Sequence, residues 1–431
     1  MTHRIKISLL AIALALVSCG EEDIIPVPEP EQPQEEKFEM SSVPDCVPVV
    51  EIAVAGGADI VSKDEYLRVQ VTIKENDQVV LQTAGKAKGR GNYTWHGYPK
   101  KPYKIKLDDK HEVCGFPENK DWVLLSDYCD KSLMRTAYMC DISEALEVDY
   151  PVRYRHVHLF LNGLYKGVYL LTDQVEKKKH RVDIEDDGFL FENDNYAWEE
   201  PLRFVTGTKK YQFSFKYPDP EDGEIVEGDD NFNYIVGLMN AFEEALYGPD
   251  FKNPATGYRR YIDVESFAKW YIVAELTANH DPNMYYVLPS RGKKIQKGPL
   301  WDSEWSLGTS YRGGPTDSWA TPPRKPDPHQ HIWSRWKYFG RLFQDPYFKQ
   351  EVRRVWEEFK PRIPLLKEKL ELVAESISEA QAMNFAQWPV IGTYLGASII
   401  CLDSWEAEVE YNADFFDERV KWMDEFLNSA L

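Results

Sequence analysis

Asn279, His280, Asp281, Pro282 and Asn283 follow one another in the chain, and a second acidic stretch, GPLWDSEWSLG, occupies residues 298–308. In the second stretch Asp302 and Glu304 are set between Trp301 and Trp305. Two carboxylates with an amide, carried on rigid elements, suit Mg²⁺ or Mn²⁺. These hard cations take oxygen ligands and usually keep waters and phosphate oxygens in their remaining positions. A further acid can act as a base or orient a nucleophile. The competing reading is a solvated strand end flanked by core tryptophans, and spacing alone leaves both open.

Residues 86–110, KAKGRGNYTWHGYPKKPYKIKLDDK, carry eight Lys or Arg in 25 positions of a chain whose formal charge is −20. Gly89 and Gly91 flank Arg90, a context in which backbone N–H groups and a guanidinium can meet phosphate. No Gly-Lys-Ser/Thr follows, so this is not a P-loop. The alternative is an edge hairpin guarded by its lysines. Residues 172–187, TDQVEKKKHRVDIEDD, form a mixed-charge loop from which Gln174, Glu176 and Arg181 can reach a site. The nine histidines show no HExxH spacing, and no GxSxG elbow is present, which disfavours hydrolases of those kinds.

The elements that must position these residues show in the periodicity. Residues 66–73 and 102–108 alternate with period two and predict strands, with KENDQ at 74–78 as a turn. In PYKIKLD, Tyr103, Ile105 and Leu107 face one way, Lys104 and Lys106 the other. Residues 130–146 predict a helix capped by Asp130 with Leu133, Met134, Ala137, Tyr138, Ile142 and Ala145 buried. Residues 155–175 predict a hairpin turning at Asn162-Gly163, and residues 188–194 another strand. From about residue 229 the pattern is helical, with Asp263 capping a helix that ends before Pro282. MYYVL (284–288) and GPLWD (298–302) are expected as the two strands of a hairpin that brings Asp281 and Asp302 to neighbouring ends. Period two would then put Asp302 and Glu304 on one face and Trp301, Ser303 and Trp305 on the other. Further helices are expected around 349–357, 364–381 and 404–427. The whole predicts an α+β chain, sheet-rich first and helical second.

The chain has 431 residues, 43% hydrophobic, and includes 13 Trp, 25 Tyr and 20 Phe. The acidic balance argues against nucleic acid as a general partner. Residues 1–18 have the basic start and short apolar run of a secretory signal peptide. LVSC resembles a bacterial lipobox with Cys19 as the lipidated residue, which implies a membrane anchor. Residues 19–45 are acidic and proline-rich and predict an extended tether. The five remaining cysteines imply neither a zinc site nor a full disulfide framework.

Taken in order, KGRGNYTW, KKPYKIKLDDK, DWVLLSDYCDKSLMR, HLFLNGLYKGVYLLTDQVE, RVDIEDDGFLFE, ELTANHD and GPLWDSEWSLG resemble the spore coat protein H (CotH) kinase family, in the lipoprotein form of Bacteroidetes. The resemblance implies a divergent protein-kinase-like, two-lobed fold over residues 46–431, with a sheet-rich lobe at 46–228 and a helical lobe at 229–431. It also implies transfer of phosphate from ATP, with Mg²⁺ or Mn²⁺, to hydroxyls of a protein acceptor. By the family pattern Asp281 is the catalytic aspartate and Asp302 the metal-binding one, helped by Asn279 or Asn283. Glu304 stands where the family often has a second aspartate. Arg90, Lys104 and Lys106 are the candidates for the phosphates and Trp301 for adenine. CGEED after the lipobox resembles the signal for the outer face of the outer membrane. A second expectation, from the tether and the aromatic surplus, is a catalytically inactive surface lipoprotein that binds a glycan or protein.

Overall fold

A computed structural model describes residues 40–43, 46–309, 327–333, 337–395 and 400–429. The signal segment, Cys19 and most of the tether lie outside the described residues. Seven strands come first: β1 (Val49–Val54), β2 (Leu67–Glu75), β3 (Gln78–Gly89), β4 (Tyr103–Val113), β5 (Phe116–Leu125), β6 (Tyr154–Leu161) and β7 (Leu164–Asp173). They close into a barrel in the order β1-β2-β3-β4-β5-β7-β6. Each neighbouring pair is antiparallel except β1 and β6, which run parallel, with Ile52 opposite Leu161. Period-two alternation fills the interior: Val69, Val71 and Ile73 on β2, and Tyr103, Ile105 and Leu107 on β4, are all buried. The turns follow their chemistry. Asn76-Asp77 and Asn162-Gly163 take positive φ at both positions, as a tight hairpin between right-twisted strands requires.

A short helix, α1 (Tyr93–Gly97), interrupts the barrel between β3 and β4, and α2 (Arg135–Ala145) between β5 and β6. Asp130 lies a turn ahead of α2, where its carboxylate accepts from the backbone N–H of Ser132 and Arg135 and pairs with the Arg135 guanidinium. Every residue singled out for the helix's inner face is buried, and so are Arg135, Asp141 and Ser143, because α2 is enclosed on all sides.

The remaining strands are β8 (Phe189–Asn193), β9 (Arg203–Val205), β10 (Gln212–Tyr217), β11 (Met284–Leu288) and β12 (Gln296–Lys297). They form a second sheet in the order β12-β11-β8-β10-β9. The helices are α3 (Asp230–Tyr247), α4 (Val264–Leu276), α5 (Phe339–Leu342), α6 (Pro346–Phe359), α7 (Ile363–Ser376), α8 (Ser378–Gln387) and α9 (Trp405–Ser429). Asp263 caps α4 by accepting from Glu265 and Ser266 N–H. Among the described residues no helix is long and apolar enough to cross a membrane, and all five cysteines are free thiols.

The mixed sheet and helix content matches the α+β expectation, but the sheet-rich part differs from a single open lobe. It is a closed barrel plus a separate sheet that takes strands from both sides of residue 228. The hairpin after Pro282 also differs in detail. β11 is the expected strand, but its return partner is the two-residue β12, not GPLWD. Residues 298–303 lack strand pairing, and Asp302 has φ +66°. Period two therefore does not govern Asp302 and Glu304: the left-handed residue re-aims the chain, and Glu304 becomes buried while Asp302 stays open.

Candidate active site

The two acidic stretches meet in one cleft of about 1270 Å³ between the barrel and the second sheet. The junction depends on Asn279, which follows the last turn of α4. Its Oδ1 accepts from the N–H of Asp281 at 3.0 Å, and its Nδ2 donates to the carbonyl of Asp302 at 2.8 Å. One amide thus ties the two carboxylate-bearing loops, and both of its polar ends are used in doing so. Asn283 N–H adds a bond to the Trp301 carbonyl at 3.2 Å. Behind the loop, Trp333 Nε1 donates to the Asn279 carbonyl. The N–H groups of Ile332 and Trp333 are held by Glu275 of α4, which is itself paired with Arg419 of α9 at 2.9 Å in a fully buried ion pair.

On the barrel side, the GRG sequence has a steric reason. A Cβ on Gly89 would overlap the Trp95 ring, and Gly91 takes φ +83° to start α1. This turn sends Arg90 into the cleft, its guanidinium 5.6 Å from the Trp301 ring centroid and close enough to Asp302 for the two charges to interact. Trp301 is buried and carries Arg90 on its ring.

The electrostatics are those of crowded acids in a partly dehydrated cleft. Burial, with the Asp302 charge as second cause, pushes the Asp281 carboxyl up to about 7, while Lys337 opposes the rise. Burial also raises Asp302, with Arg90 holding it down. Glu304 is 7% exposed, and its Oε1 accepts from Cys129 N–H at 3.0 Å. Burial raises it to about 7 despite that bond, with Asp302 and Asp130 adding to the rise. Asp127 lies beside it, raised by burial and by the Glu304 charge, with one oxygen lacking a hydrogen-bond partner.

Arg90, Asn279, Asp281, Asn283, Trp301, Asp302 and Glu304 all line this cleft; Lys104 and Lys106 do not. Those two lysines stand on the outer face of the barrel, with Lys104 3.9 Å from Asp121. Gln174 reaches the cleft, whereas Arg181 is bound to Asp173 and Glu176 beneath it. The geometry adds residues not singled out for chemistry in the sequence. Lys216 of β10 lies 3.5 Å from Glu192 of β8, and Glu192 accepts from Asn283 Nδ2. A signal was present: FLFEN and QFSFKY each place one charge inside an apolar strand, where an unpaired charge is costly. Lys337, hydrogen-bonded to Asn193 at 2.7 Å, lies in a loop without periodicity and gave no such sign.

The donor set fits a divalent cation in part. Asp281 and Asp302 are exposed carboxylates of the cleft, as are Asp64 and Glu199, and no group of three or more His, Cys, Asp or Glu among the described residues converges as a metal cage. A cation here would have to be completed by water and phosphate oxygens, which is how Mg²⁺ commonly binds.

Comparison with known proteins agrees with the sequence pattern. No curated protein matches the chain. Among solved structures, a crystal structure of the Golgi casein kinase aligns at 10% identity over 88% of this chain and 74% of that one. Its TM-score is 0.29, too loose a superposition to carry an argument. The family model described as CotH kinase protein matches residues 87–423, which include both the Arg90 turn and the paired acidic loops, and the chain therefore belongs to the CotH kinase family.

Proposed function

We propose that the cleft transfers the γ-phosphate of ATP to a hydroxyl of a protein acceptor, in a divergent two-lobed kinase-like arrangement. The observation that supports this most is the placement of Asp281 and Asp302 on one cleft, tied through Asn279, with Arg90 facing Asp302. Phosphoryl transfer depends on positioning and charge neutralisation more than on covalent help. Asp302 would hold Mg²⁺ or Mn²⁺, with the side-chain amide oxygen of Asn283, which also lines the cleft, as a candidate second donor. The cation would supply charge neutralisation at the phosphate oxygens. Arg90 adds a fixed positive group beside it, stacked on Trp301 and so restricted in orientation. Asp281 accepts the acceptor's hydroxyl proton. With its carboxyl moved to about 7, it is a stronger base than an ordinary carboxylate, and its ionised fraction grows as pH rises past neutrality. Asn279 is a positioning residue, because both ends of its amide are committed to the loops.

The basic start, the lipobox-like LVSC and the acidic tether support export, with a lipid anchor at Cys19 on the outer membrane and the domain at the cell surface. The test of the activity is transfer from labelled ATP, with Mg²⁺ or Mn²⁺, to a Ser/Thr-rich acceptor. Loss of transfer in Asp302→Ala, with the fold intact by circular dichroism, is the expected result. Absence of transfer in the wild type, or transfer unchanged in the variant, would leave only a surface-binding role.

A further inference from the structure

Four lysines of the 86–106 segment form an ordered array on the barrel. Lys86 and Lys106 are direct cross-strand partners on β3 and β4, and so are Lys88 and Lys104. All four are on the outer face, since the alternate residues Ala87 and Ile105 are buried inside the barrel. The first row continues to Arg68 on β2 and ends at Asp121 on β5. Like charges directly opposite each other destabilise a sheet. Few acids offset them: Asp108 is taken by Arg68 at 2.7 Å, Asp121 is 3.9 Å from Lys104, and the Glu176 charge also acts on Lys104. Lys86 and Lys88 lie 4.5 and 4.9 Å from the centroid of the Tyr66 ring.

Edge protection does not explain this array. β3 is paired on both sides, with β2 and β4, and β4 is paired with β3 and β5, inside a closed barrel. There is no open edge for the lysines to guard. Among the described residues no α-helix packs substantially on β2, β3 or β4, and Lys106 is exposed while Lys86, Lys88 and Lys104 are half-buried. The array also leads somewhere, because Lys88 lines the cleft one step before Gly89 and Arg90.

We propose that the lysine-bearing outer face of β3 and β4 docks an acidic, extended polypeptide segment and leads it toward the cleft. Lysines two apart on a strand repeat about every 7 Å, the same spacing as alternate carboxylates on an extended peptide. The patch is two residues deep and two strands wide. It thus holds a few carboxylates, whereas nucleic acid or an anionic membrane needs a broad positive surface that a chain of charge −20 lacks. That the segment is the phosphate acceptor rests on the phosphotransfer reading; that it docks does not.

The test uses the full chain without nucleotide, and a fluorescein-labelled peptide with glutamate at alternate positions and one serine. A second peptide replaces each glutamate with glutamine. Fluorescence anisotropy should show salt-sensitive binding of the acidic peptide only. Lys86→Glu/Lys106→Glu, which touches no cleft residue, should weaken binding about tenfold or more, as reversal of two surface charges allows. Lys86→Gln/Lys106→Gln should give an intermediate loss. The single change Lys86→Glu, placed between Arg68 and Lys106, turns two repulsive cross-strand pairs into attractive ones and should not lower the melting temperature, which separates binding loss from misfolding. Equal binding of the two peptides, or unchanged binding by the double reversal, overturns the proposal. So does salt-sensitive binding of a single-stranded oligonucleotide or of phosphatidylglycerol vesicles with none of the acidic peptide. If the acidic peptide docks as expected but is never phosphorylated, the docking surface stands and the transfer reading fails.

Discussion

Replacing Asp281 with asparagine should make the protein more stable at pH 8 and leave it unchanged near pH 4. The folded carboxyl titrates at about 7 against an ordinary value of 3.8. Between those values the native state keeps a proton that the unfolded chain has released. Stability therefore falls as pH rises through that window, and above about 7 the loss is complete. A displacement of this size has a ceiling of about 4 kcal/mol. Asp281 is open to the water of the cleft, so solvent screening reduces the expected effect to about 1–2 kcal/mol. For a domain of this size that corresponds to about 1–3 °C in melting temperature. The assay is thermal unfolding of wild type and Asp281→Asn from pH 4 to 8 with chelator present, so that no cation takes the place of the proton. The two curves should meet at the acid end and separate as pH rises. A constant gap across the range, or a variant less stable than wild type at pH 8, would refute the reasoning that crowded, dehydrated acids build this site.

Asn279→Ala removes both ties between the acidic loops and should cost about 1–3 kcal/mol, since the Asp302 carbonyl loses its amide donor. Urea unfolding measures this, and the transfer rate should fall while the melting midpoint at saturating Mg²⁺-nucleotide partly recovers. Glu304→Gln keeps an acceptor for Cys129 N–H without a buried charge and should be at least as stable as wild type. Glu304→Ala should lose about 1–3 kcal/mol by stranding that N–H, and comparing the two melting curves decides the point. Arg419→Ala leaves Glu275 charged and alone in the core. It should cost about 3–5 kcal/mol at pH 7 by denaturant unfolding, with part of the loss recovered at pH 5 as the carboxyl protonates.

The strands, hairpin turns and capped helices were legible because each rests on a local rule. Asn162-Gly163 needs left-handed backbone, Asp263 satisfies orphan N–H groups, and the period of two in PYKIKLD follows from the pleat. Barrel closure was not legible, because it depends on the parallel pairing of β1 with β6 across more than 100 residues, for which no local signal exists. At the site, the two aspartates were visible as types in a spacing. The turn at Asp302 was not: Asn279 imposes it from 23 residues away, and a repeat-based reading extended a strand through it. The same limit governed the lysines. Alternation showed that Lys104 and Lys106 share a face, but only the closed barrel shows that neither of them reaches the cleft.

That long-range closure also has a kinetic side. Until residues 154–161 have emerged and folded back, β1 has β2 as its one partner, and β6 presents an open ladder of N–H and C=O groups. The last pairing must close a loop of about a hundred residues, a step whose chain-entropy cost slows folding. During that interval the chain carries two unpaired strand margins. Lesions in β1, which contributes no residue to the cleft, should thus show as low yield and aggregation during folding.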